Sequence, residues 1–518
     1  MTAAEAANRP AGPIVAWIRS HAGRDGHLRI DSRQVERGDV FLALPGRRDD
    51  GRRHIADATA RGAAAVVTEA TGGELPVVAV PLLQVEGLAA QLGDIGAAFY
   101  GDPTARLLTI GVTGTNGKTS CSHWIAQVLS ACGHRCAVIG TVGYGFPDAL
   151  QADAALTTPD AIGLQRQARE LLDAGAHALA MEVSSIGLDQ GRTDAVRFDL
   201  ALFTNLTRDH LDYHGTMSEY ERAKARLFDV PSLAHAVLNL DDEFGQRLAG
   251  HCRARRLRTT GYRVQAAAPA QPVDVELRAD AVQLGGDHIR FDAHLQRAEA
   301  APQSLPVQAP VIGRFNVSNA LGVLGIALAS GIDARDAARA LQRLRPPPGR
   351  LQRVEAHGQD GPLVLIDYAH TPDAIEQALA ALRPVAVARG GRLWIVFGAG
   401  GDRDPGKRSQ MGAAAARGAD RIVVTSDNPR GEDPGCIIDQ ILMGTGEAGP
   451  RVDHTADRAL AIARSVAQAD TADVVLIAGK GHEQYQEVAG RRHAFSDLEC
   501  ARQALLKRVG AAPQEPVR

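Results

Sequence analysis

The chain has 518 residues, so two to four domains are expected rather than one hydrophobic core. Its composition, 45% hydrophobic and 23% charged, is typical of a soluble globular protein, and no apolar run approaches the length of a membrane span. The net charge of −3 provides no bulk attraction to nucleic acid or membranes, so an anionic substrate must be held by local arginines and lysines.

The first region, residues 1–103, is predicted to be a small α/β domain. Residues 39–44 and 63–68 each form a short apolar run that indicates a strand. The N-terminus has no signal-peptide pattern, and the spacing of Cys132 and Cys136 has no second pair to complete a zinc site. We therefore expect a cytoplasmic protein with free thiols.

The second region, residues 104–345, repeats strand–helix units, which predicts a parallel sheet with helices packed against it. Residues 273–277 and 289–295 alternate with period two, which indicates an antiparallel extension. A helix is expected near residues 316–330. The predicted parallel strands are residues 107–112, 137–140, 178–183, 200–204 and 236–240.

The turn after the first of these strands is rich in glycine and precedes a helix with Trp124, Ile125, Val128 and Leu129 on one face. A strand, a glycine loop and a helix N-terminus together form an anion site. Lys118 would reach the β- and γ-phosphates of a nucleotide, and the Thr119 hydroxyl would bind Mg²⁺. The usual glycine five residues before Gly117 is Val112, so this is a shorter form of the phosphate loop, and a glycine-rich turn with a surface lysine is the alternative. The candidate ATP-binding loop comprises Gly114, Thr115, Asn116, Gly117, Lys118, Thr119 and Ser120.

Polar residues follow other strands of this region, where ligands of open parallel sheets bind. Glu182 ends one strand and His210 follows another, and Lys224 lies on a predicted helix, residues 217–228. A carboxylate and an imidazole near a phosphate loop could bind Mg²⁺. Taken singly, Glu182 is equally well a capping or salt-bridging carboxylate, and His210 is more readily a structural hydrogen-bonding group.

The third region, residues 346–518, follows the proline-rich hinge 346–349 and has the character of a Rossmann-like α/β domain. Strands are predicted at residues 363–367, 393–397, 422–425 and 474–478, and the tail 511–518 is expected to be disordered. Each strand runs into a polar loop, and four such loops on one sheet edge would face the phosphate loop across a cleft. The loops are residues 367–373, 398–404, 427–430 and 479–483.

These motifs together resemble the ATP-dependent Mur ligases of bacterial cell-wall synthesis, and the resemblance covers nearly the whole chain. The stretches that carry it are residues 31–33, 38–41, 113–119, 157–159, 181–185, 204–214, 315–319, 367–373 and 479–483. The resemblance implies three α/β domains: an N-terminal uridine-binding domain, a central P-loop ATPase domain and a C-terminal domain that binds an amino acid.

The resemblance further implies that ATP phosphorylates a substrate carboxylate and that an amine then displaces phosphate from the acyl phosphate. Lys118, Glu182, His210 and Lys224 would be catalytic, and Asn316, Arg350 and Asp367 would lie near ATP. Mg²⁺ would be held by Thr119, Glu182, His210 and Lys224, the lysine acting as a CO₂-derived carbamate. A plain surface lysine is the alternative for Lys224.

By the same resemblance, the small-molecule substrates are ATP, UDP-N-acetylmuramoyl-L-Ala-D-Glu and meso-diaminopimelate, with no nucleic acid and no insertion into a membrane. The UDP-sugar peptide would contact Ile30, Ser32, Arg47, Arg48, Asp49, Thr157, Thr158, Ser184, Gln190 and Arg192. The sequence departs from many relatives at Ile186, where they carry histidine. Oligomeric state is open, a monomer being one option.

Diaminopimelate would bind to the loops of the third region. Diaminopimelate differs from lysine by a second carboxylate, and a guanidinium binds a carboxylate through two parallel hydrogen bonds. Arg430 is therefore expected to bind that second carboxylate. The pocket implied by the resemblance comprises Arg403, Asp427, Asn428, Pro429, Arg430, Gly479 and Glu483.

Four alternatives remain at this point. Three are ligases: a lysine-adding relative, the relative that adds D-Ala-D-Ala, and a folylpolyglutamate synthetase. The fourth is a non-catalytic nucleotide-binding scaffold, which would not need Glu182, His210 and Lys224 together with four aligned loops.

Overall fold

The structure is a computed structural model that describes residues 11–46, 49–70, 76–151, 156–264, 271–285, 287–297, 301–355, 361–446 and 451–510. Two residues of the expected uridine loop, Arg47 and Arg48, lie outside the described residues, as does the tail 511–518. In the described part, three main sheets follow one another along the chain. The predicted three-part α/β organisation is confirmed.

The N-terminal sheet has four parallel strands in sequential order. Its strands are β1 (Leu28–Arg29), β2 (Val40–Ala43), β3 (Ala65–Glu69) and β4 (Leu82–Val85). Its helices are α1 (Gly12–His21), α2 (Ile55–Ala60) and α3 (Leu88–Tyr100). Strands β2 and β3 are buried on both faces, as expected for parallel strands covered by helices.

The central sheet is large and mixed. Its strands are β5 (Leu108–Thr113), β6 (Cys136–Gly140), β7 (Gly143–Phe146), β8 (Ala149–Gln151), β9 (Ala178–Glu182), β10 (Leu200–Phe203), β11 (His235–Asn239), β12 (Arg258–Arg263), β13 (Val275–Leu284), β14 (Ile289–Arg297) and β15 (Gln303–Ala309). The order is β15-β14-β13-β12-β11-β10-β5-β9-β6-β7-β8. The five predicted parallel strands form its middle, which confirms the parallel sheet.

The antiparallel extension is also confirmed, because β13 pairs with β14 and β14 with β15 in antiparallel register. Four strands of this sheet were not expected from the sequence: β7, the short β8, β12 and β15. The sequence of β12 mixes threonine, glycine and arginine, so it has no apolar run, although the strand is buried almost throughout. Its burial depends on helices packed over it from elsewhere in the chain.

Helices cover both faces of the central sheet. They are α4 (Lys118–Ala131), α5 (Ala161–Asp173), α6 (Ser185–Asp189), α7 (Leu211–His214), α8 (Met217–Ala225), α9 (Glu243–Ala254), α10 (Phe315–Ala329) and α11 (Ala334–Leu341). One apolar core lies beneath α4 and α10, and a second beneath α5 and α9. Helix α8 ends three residues before the predicted residue 228, and the chain continues as a 3₁₀ turn that buries Leu227 and Phe228.

The C-terminal sheet confirms all four predicted strands. Its strands are β16 (Gln352–Arg353), β17 (Leu363–Asp367), β18 (Leu393–Phe397), β19 (Arg421–Thr425), β20 (Arg451–Thr455) and β21 (Val474–Ala478). The order is β16-β17-β21-β18-β19-β20. Strand β20 was not predicted, because it is an edge strand with mostly polar, exposed side chains. A hairpin follows, with strands β22 (Tyr485–Val488) and β23 (Arg491–Ala494).

Helices also lie on both faces of this sheet. They are α12 (Pro372–Arg389), α13 (Gly406–Gly418), α14 (Pro434–Leu442), α15 (Arg458–Gln468) and α16 (Asp497–Gly510). A fully buried ion pair joins the last two helices, with Arg458 donating to both oxygens of Asp497 at 2.7 Å. The same guanidinium donates to the carbonyls of Ser426 and Ala478, so it also fixes the points where two polar loops begin.

All six cysteines lie in the described part of the chain and are free, as expected. Among the helices that the structure describes, none is long and apolar enough to cross a membrane.

Candidate active site

The phosphate loop lies between β5 and α4, and its two glycines are required by its backbone. Gly114 has φ +149°, and a Cβ there would lie 1.9 Å from the Thr204 hydroxyl. Gly117 has φ +86°, and a Cβ there would lie 2.7 Å from the Asn319 side chain. A larger residue at either position would displace the loop, which indicates that the loop conformation is specific.

Lys118 opens α4 and folds back over the loop. Its ammonium donates to the carbonyls of Gly114 at 2.9 Å and Thr115 at 2.8 Å. Burial lowers the pKa of Lys118, partly offset by the charge of Glu182. The alternative of a turn with a solvent-exposed lysine does not fit this geometry, because the amine is held inside the loop where phosphate oxygens would approach.

Glu182, at the end of β9, lies directly beside the loop. Its Oε2 accepts hydrogen bonds from the hydroxyls of Thr119 and Thr141, each at 3.0 Å, and its Oε1 accepts from the Thr141 amide at 2.8 Å. The side chain is buried, and among the described residues it has no salt bridge. Gly140 makes room for it, since a Cβ there would lie 2.2 Å from Oε1. The salt-bridging alternative for Glu182 is therefore not what the structure has.

Lys224 is only 1% exposed, which excludes the surface-lysine alternative. Its ammonium nitrogen donates to the Gly114 carbonyl at 2.8 Å and lies 4.6 Å from the centre of the Tyr220 ring. Burial lowers the pKa of Lys224 well below its ordinary value, and the neighbouring charge of Lys118 lowers it further. Both effects oppose protonation of this amine.

His210 lies at the mouth of the cleft in a left-handed backbone conformation with φ +53°. Its Nε2 is 3.5 Å from the carboxylate of Asp209, and desolvation by surrounding protein atoms lowers its pKa, although 43% of the side chain is exposed. The structure brings Thr119 and Glu182 into contact, but no hydrogen bond joins His210 or Lys224 to either. Within the described ranges, no three His, Cys, Asp or Glu residues cluster as a metal site. The four-residue Mg²⁺ set therefore stays a prediction.

Of the three residues expected near the nucleotide, Arg350 contacts the phosphate-loop region directly and Asn316 does so through Asn319. Arg350 donates to the Thr119 hydroxyl at 3.0 Å and lies 4.5 Å from the centre of the Tyr368 ring. Asn316 accepts from Asn319, which lies against Gly117. Asp367 instead accepts from the amides of residues 351 and 369, and burial raises its pKa.

A cavity of about 340 Å³ lies between the N-terminal and central sheets. Ile30 lines it, and Ser32 is buried two residues further along the chain. Asp49 is exposed and pairs with His54 at 2.7 Å. Two arginines that sequence reasoning missed, Arg29 and Arg166, also line the cavity. Arg29 ends β1, but that two-residue strand has no sequence pattern, and Arg166 lies within α5, so only the packing of α5 against β1 identifies them.

The residues expected to hold the muramoyl peptide form one hydrogen-bonded group beside Glu182. The Thr158 hydroxyl bonds the Glu182 carbonyl and the Ser184 hydroxyl, each at 3.0 Å. Arg192 donates to the Thr158 carbonyl at 2.8 Å and to the Gln190 side chain at 2.6 Å. The Thr157 and Thr141 hydroxyls lie within hydrogen-bond distance, 3.1 Å apart. Ile186 is half-buried in α6.

The polar loops of the C-terminal sheet are joined to one another. The Asn428 amide donates to Glu483 at 2.8 Å, and Arg430 donates to the Gly401 carbonyl at 2.8 Å. Gly479 has φ +113°, and a Cβ there would lie 2.4 Å from the Asp427 carboxylate. Pro429 packs against Gly401 through its carbonyl, and Arg403 is exposed on the next loop.

Sequence reasoning missed Lys480, which lies at the centre of these loops. It is fully buried and donates to Asn428 at 3.0 Å and to Glu483 at 2.9 Å. Thr141, which follows β6, was missed as well. Both could have been found with the rule used for Glu182, that ligands bind at the carboxyl ends of parallel strands. Thr141 directly follows a strand, and Lys480 lies in a loop that was already predicted to be functional.

The phosphate-loop side of the central region is in direct contact with the C-terminal loops that were expected to face it. Asn116 donates to Asp373 at 3.1 Å, and the ring of His482 bonds the Thr141 carbonyl at 3.0 Å. Both contacts join the central region to a polar loop of the third region. The nucleotide loop and the loops of the expected amino-acid pocket therefore lie on the same side of the molecule, where these two regions meet.

Comparisons with known proteins agree with this geometry. Three family models match the chain in succession: the Mur ligase family catalytic domain at residues 26–100, the Mur ligase middle domain at 112–327 and the Mur ligase glutamate ligase domain at 349–481. Two curated relatives named UDP-N-acetylmuramoyl-L-alanyl-D-glutamate–2,6-diaminopimelate ligase are similar over nearly their full length. The protein of Ralstonia nicotianae is 51% identical, with 96% of each chain covered. That of Pseudomonas aeruginosa is 50% identical, with 92% of this chain and 94% of the relative covered.

A solved structure of a protein with the same name superposes with a TM-score of 0.62 at 36% identity, covering 93% of this chain and 95% of that one. Since the identity, the coverage and the three successive domain models agree, the chain belongs to the Mur ligase family.

Proposed function

We propose that this protein is an ATP-dependent ligase that adds meso-2,6-diaminopimelate to the D-Glu carboxylate of UDP-N-acetylmuramoyl-L-alanyl-D-glutamate, a step of peptidoglycan precursor synthesis. The half-identical relatives with that name support the choice of substrates. The observation that carries it is the direct contact of the phosphate loop with the third region, through Asn116 and Asp373 and through Thr119 and Arg350. Free cysteines are consistent with a cytoplasmic reaction.

The order of chemical events follows from the reactivity of the groups. A carboxylate does not react with an amine at neutral pH, so the D-Glu carboxylate first attacks the γ-phosphorus of ATP and releases ADP. The amine of diaminopimelate then attacks the acyl phosphate, an amide bond forms, and phosphate leaves with the bonding electrons. Lys118 offsets the negative charge on the phosphoryl group during transfer, and the closed cleft keeps water from the acyl phosphate.

The residues around Glu182 fit a bound Mg²⁺. A buried carboxylate next to the Thr119 hydroxyl supplies the oxygen ligands that Mg²⁺ prefers, and Mg²⁺ usually takes only one or two protein carboxylates beside phosphates and water. The absence of a larger acidic cluster among the described residues is consistent with this coordination preference of Mg²⁺. When bound, the ion would neutralise charge on the transferring phosphoryl group.

Lys224 is proposed to carry a carbamate. Its amine is buried beside Lys118, and burial lowers its pKa, which favours the unprotonated form that reacts with CO₂. That form attacks CO₂, an N–C bond forms, a proton is released, and the product is a carboxylate-like group. Replacing Lys224 with alanine is expected to lower the ligation rate about 10- to 100-fold, because a ligand-shell group is lost. Lys224→Arg keeps a positive charge and should not rescue the rate.

Added formate, a small carboxylate, is expected to restore part of the activity of Lys224→Ala but none of that of Lys224→Arg. Phosphate release in CO₂-depleted and bicarbonate-supplemented buffer is the measurement. A wild-type rate independent of CO₂, with a fully active arginine variant, would contradict the carbamate.

The proposed function predicts a specific pattern of phosphate release. With ATP, Mg²⁺ and the UDP-linked dipeptide, meso-diaminopimelate should stimulate release strongly and L-lysine should not. Stimulation by lysine alone would keep the ligase mechanism and assign the chain to lysine addition. No stimulation by either would favour the folylpolyglutamate or D-Ala-D-Ala alternatives. A nucleotide-binding scaffold would show no stimulation by any substrate pair.

A further inference from the structure

We propose that His482 is a positioning residue that joins the amino-acid pocket to the carboxylate beside the phosphate loop. The inference rests on the proposed function and adds a residue to it. His482 lies in the third region, between Lys480 and Glu483 of the pocket loop. Its Nε2 donates across the cleft to the Thr141 carbonyl at 3.0 Å.

Thr141 is the link between that histidine and the phosphate site. Its amide donates to one oxygen of Glu182 at 2.8 Å, and its hydroxyl donates to the other at 3.0 Å. Glu182 in turn accepts from Thr119, and Arg350 donates to the Thr119 hydroxyl at 3.0 Å. A continuous series of hydrogen bonds therefore joins two residues of the third region, His482 and Arg350. The residues between them, Thr141, Glu182 and Thr119, belong to the central region.

The two ends of this chain of contacts are packed against each other. The rings of Tyr368 and His482 lie 5.7 Å apart, and Arg350 lies over the same tyrosine. Gly349 has no room for a side chain, because a Cβ there would lie 2.4 Å from the His482 amide nitrogen. Gly349 thus packs against the backbone of His482 and Tyr368 packs against its ring, so the fold fixes the orientation of the imidazole.

The hydrogen bond to Thr141 defines the protonation of the ring. A carbonyl only accepts, so Nε2 must carry hydrogen. Burial, with the nearby charge of Arg350, lowers the pKa of His482 to about 4, so the ring is neutral and Nδ1 is unprotonated at neutral pH. Nδ1 is buried without a hydrogen-bond partner among the described residues, so the bond to Thr141 is the polar contact that the ring makes.

This arrangement links substrate occupancy to phosphoryl transfer. Lys480 and Glu483 are hydrogen-bonded to Asn428 of the diaminopimelate pocket. A substrate that orders this pocket therefore also orders the loop of residues 479–483, which carries His482. His482 then bonds the residue that orients both oxygens of Glu182. Loss of the bond should impair the rate of the reaction more than the binding of any one substrate.

The test compares three substitutions of His482, which differ in whether the new side chain supplies a hydrogen-bond donor near the position of Nε2. A Gln side chain can place its amide nitrogen near the position of Nε2, whereas Asn is too short and Ala has no donor. We expect His482→Ala and His482→Asn to lower kcat about 5- to 10-fold, the equivalent of one hydrogen bond, with KM for the UDP-linked dipeptide unchanged. His482→Gln should recover most of the rate. His454→Ala, which removes an exposed histidine of the edge strand β20, is the matched control and should match wild type.

A double-mutant cycle separates action through Thr141 from a general effect on stability. Thr141→Val removes the hydroxyl that bonds Glu182, and in a Thr141→Val, His482→Ala double variant the losses should be clearly less than multiplicative. Multiplicative losses, or a Gln variant as slow as the Ala variant, would overturn the proposal.

A second measurement does not depend on the proposed reaction. In small-angle scattering with ADP and Mg²⁺, His482→Ala should have a larger radius of gyration than the wild type and His482→Gln should not. If the wild type ligates an amino acid other than diaminopimelate, the proposed substrate is wrong. The Thr141, His482 double-mutant cycle is then measured with that amino acid and still tests the role of His482. Equal radii for all variants would count against His482 as an inter-domain contact.

Discussion

Replacing Lys118 with alanine is expected to lower kcat for ligation about 10³-fold. Its ammonium sits inside the phosphate loop on the carbonyls of Gly114 and Thr115, where it can turn to the phosphates without a change in backbone. Removing one preorganised group that stabilises transition-state charge typically costs about 10²–10³ in rate. ATP-dependent phosphate release with both co-substrates is the measurement.

Lys507→Ala is the matched control, because Lys507 is an exposed lysine on the last helix. It should be as active as the wild type. Lys118→Arg keeps the charge but carries a planar group larger than the ammonium that fits between the Gly114 and Thr115 carbonyls, so it should remain strongly impaired. A Lys118→Ala variant within a few-fold of wild type would show that the loop does not hold the transferred phosphate.

Replacing Arg430 with alanine should remove the preference for diaminopimelate over lysine. Arg430 is held with φ +51°, its amide donates to the Glu487 carbonyl, and its Nη1 donates to the Gly401 carbonyl. Its Nη2 donates to no residue that the structure describes, so it is available to a substrate carboxylate. The ratio of kcat/KM for diaminopimelate to that for lysine should fall about 10³-fold, because a paired charge is lost for one substrate only.

The control for this change is Arg451→Ala, which removes an exposed arginine from the edge strand β20 and should leave the ratio unchanged. Arg430→Lys keeps the charge without the two parallel hydrogen bonds and should have an intermediate ratio. Both rates are measured at saturating ATP and UDP-linked dipeptide. An alanine variant that still discriminates against lysine would assign recognition of the second carboxylate to another residue, with the exposed Arg403 the next to test.

Much of the fold follows from local patterns. Four of the parallel strands of the C-terminal sheet and the five in the middle of the central sheet are short apolar runs before polar loops, and the structure has them within two residues of the expected positions. Such runs are readable because a strand buried on both faces needs apolar side chains throughout. Strands β12 and β20 do not follow that rule. β12 is buried beneath α9 and α10 although its sequence is largely polar, and β20 lies at an edge, so neither is identified by an apolar run.

The sequence by itself determined the phosphate loop, the parallel sheets and the identity of the polar residues at the strand ends, because these depend on neighbours in the chain. Only the tertiary structure decided that Lys224 is buried against the loop of Lys118, that Lys480 is central to the C-terminal loops, and that His482 reaches Thr141. The partners in these contacts are about 50 to 340 residues apart along the chain. Such contacts arise from the packing of whole sheets and helices, and no local pattern encodes a pairing of that range.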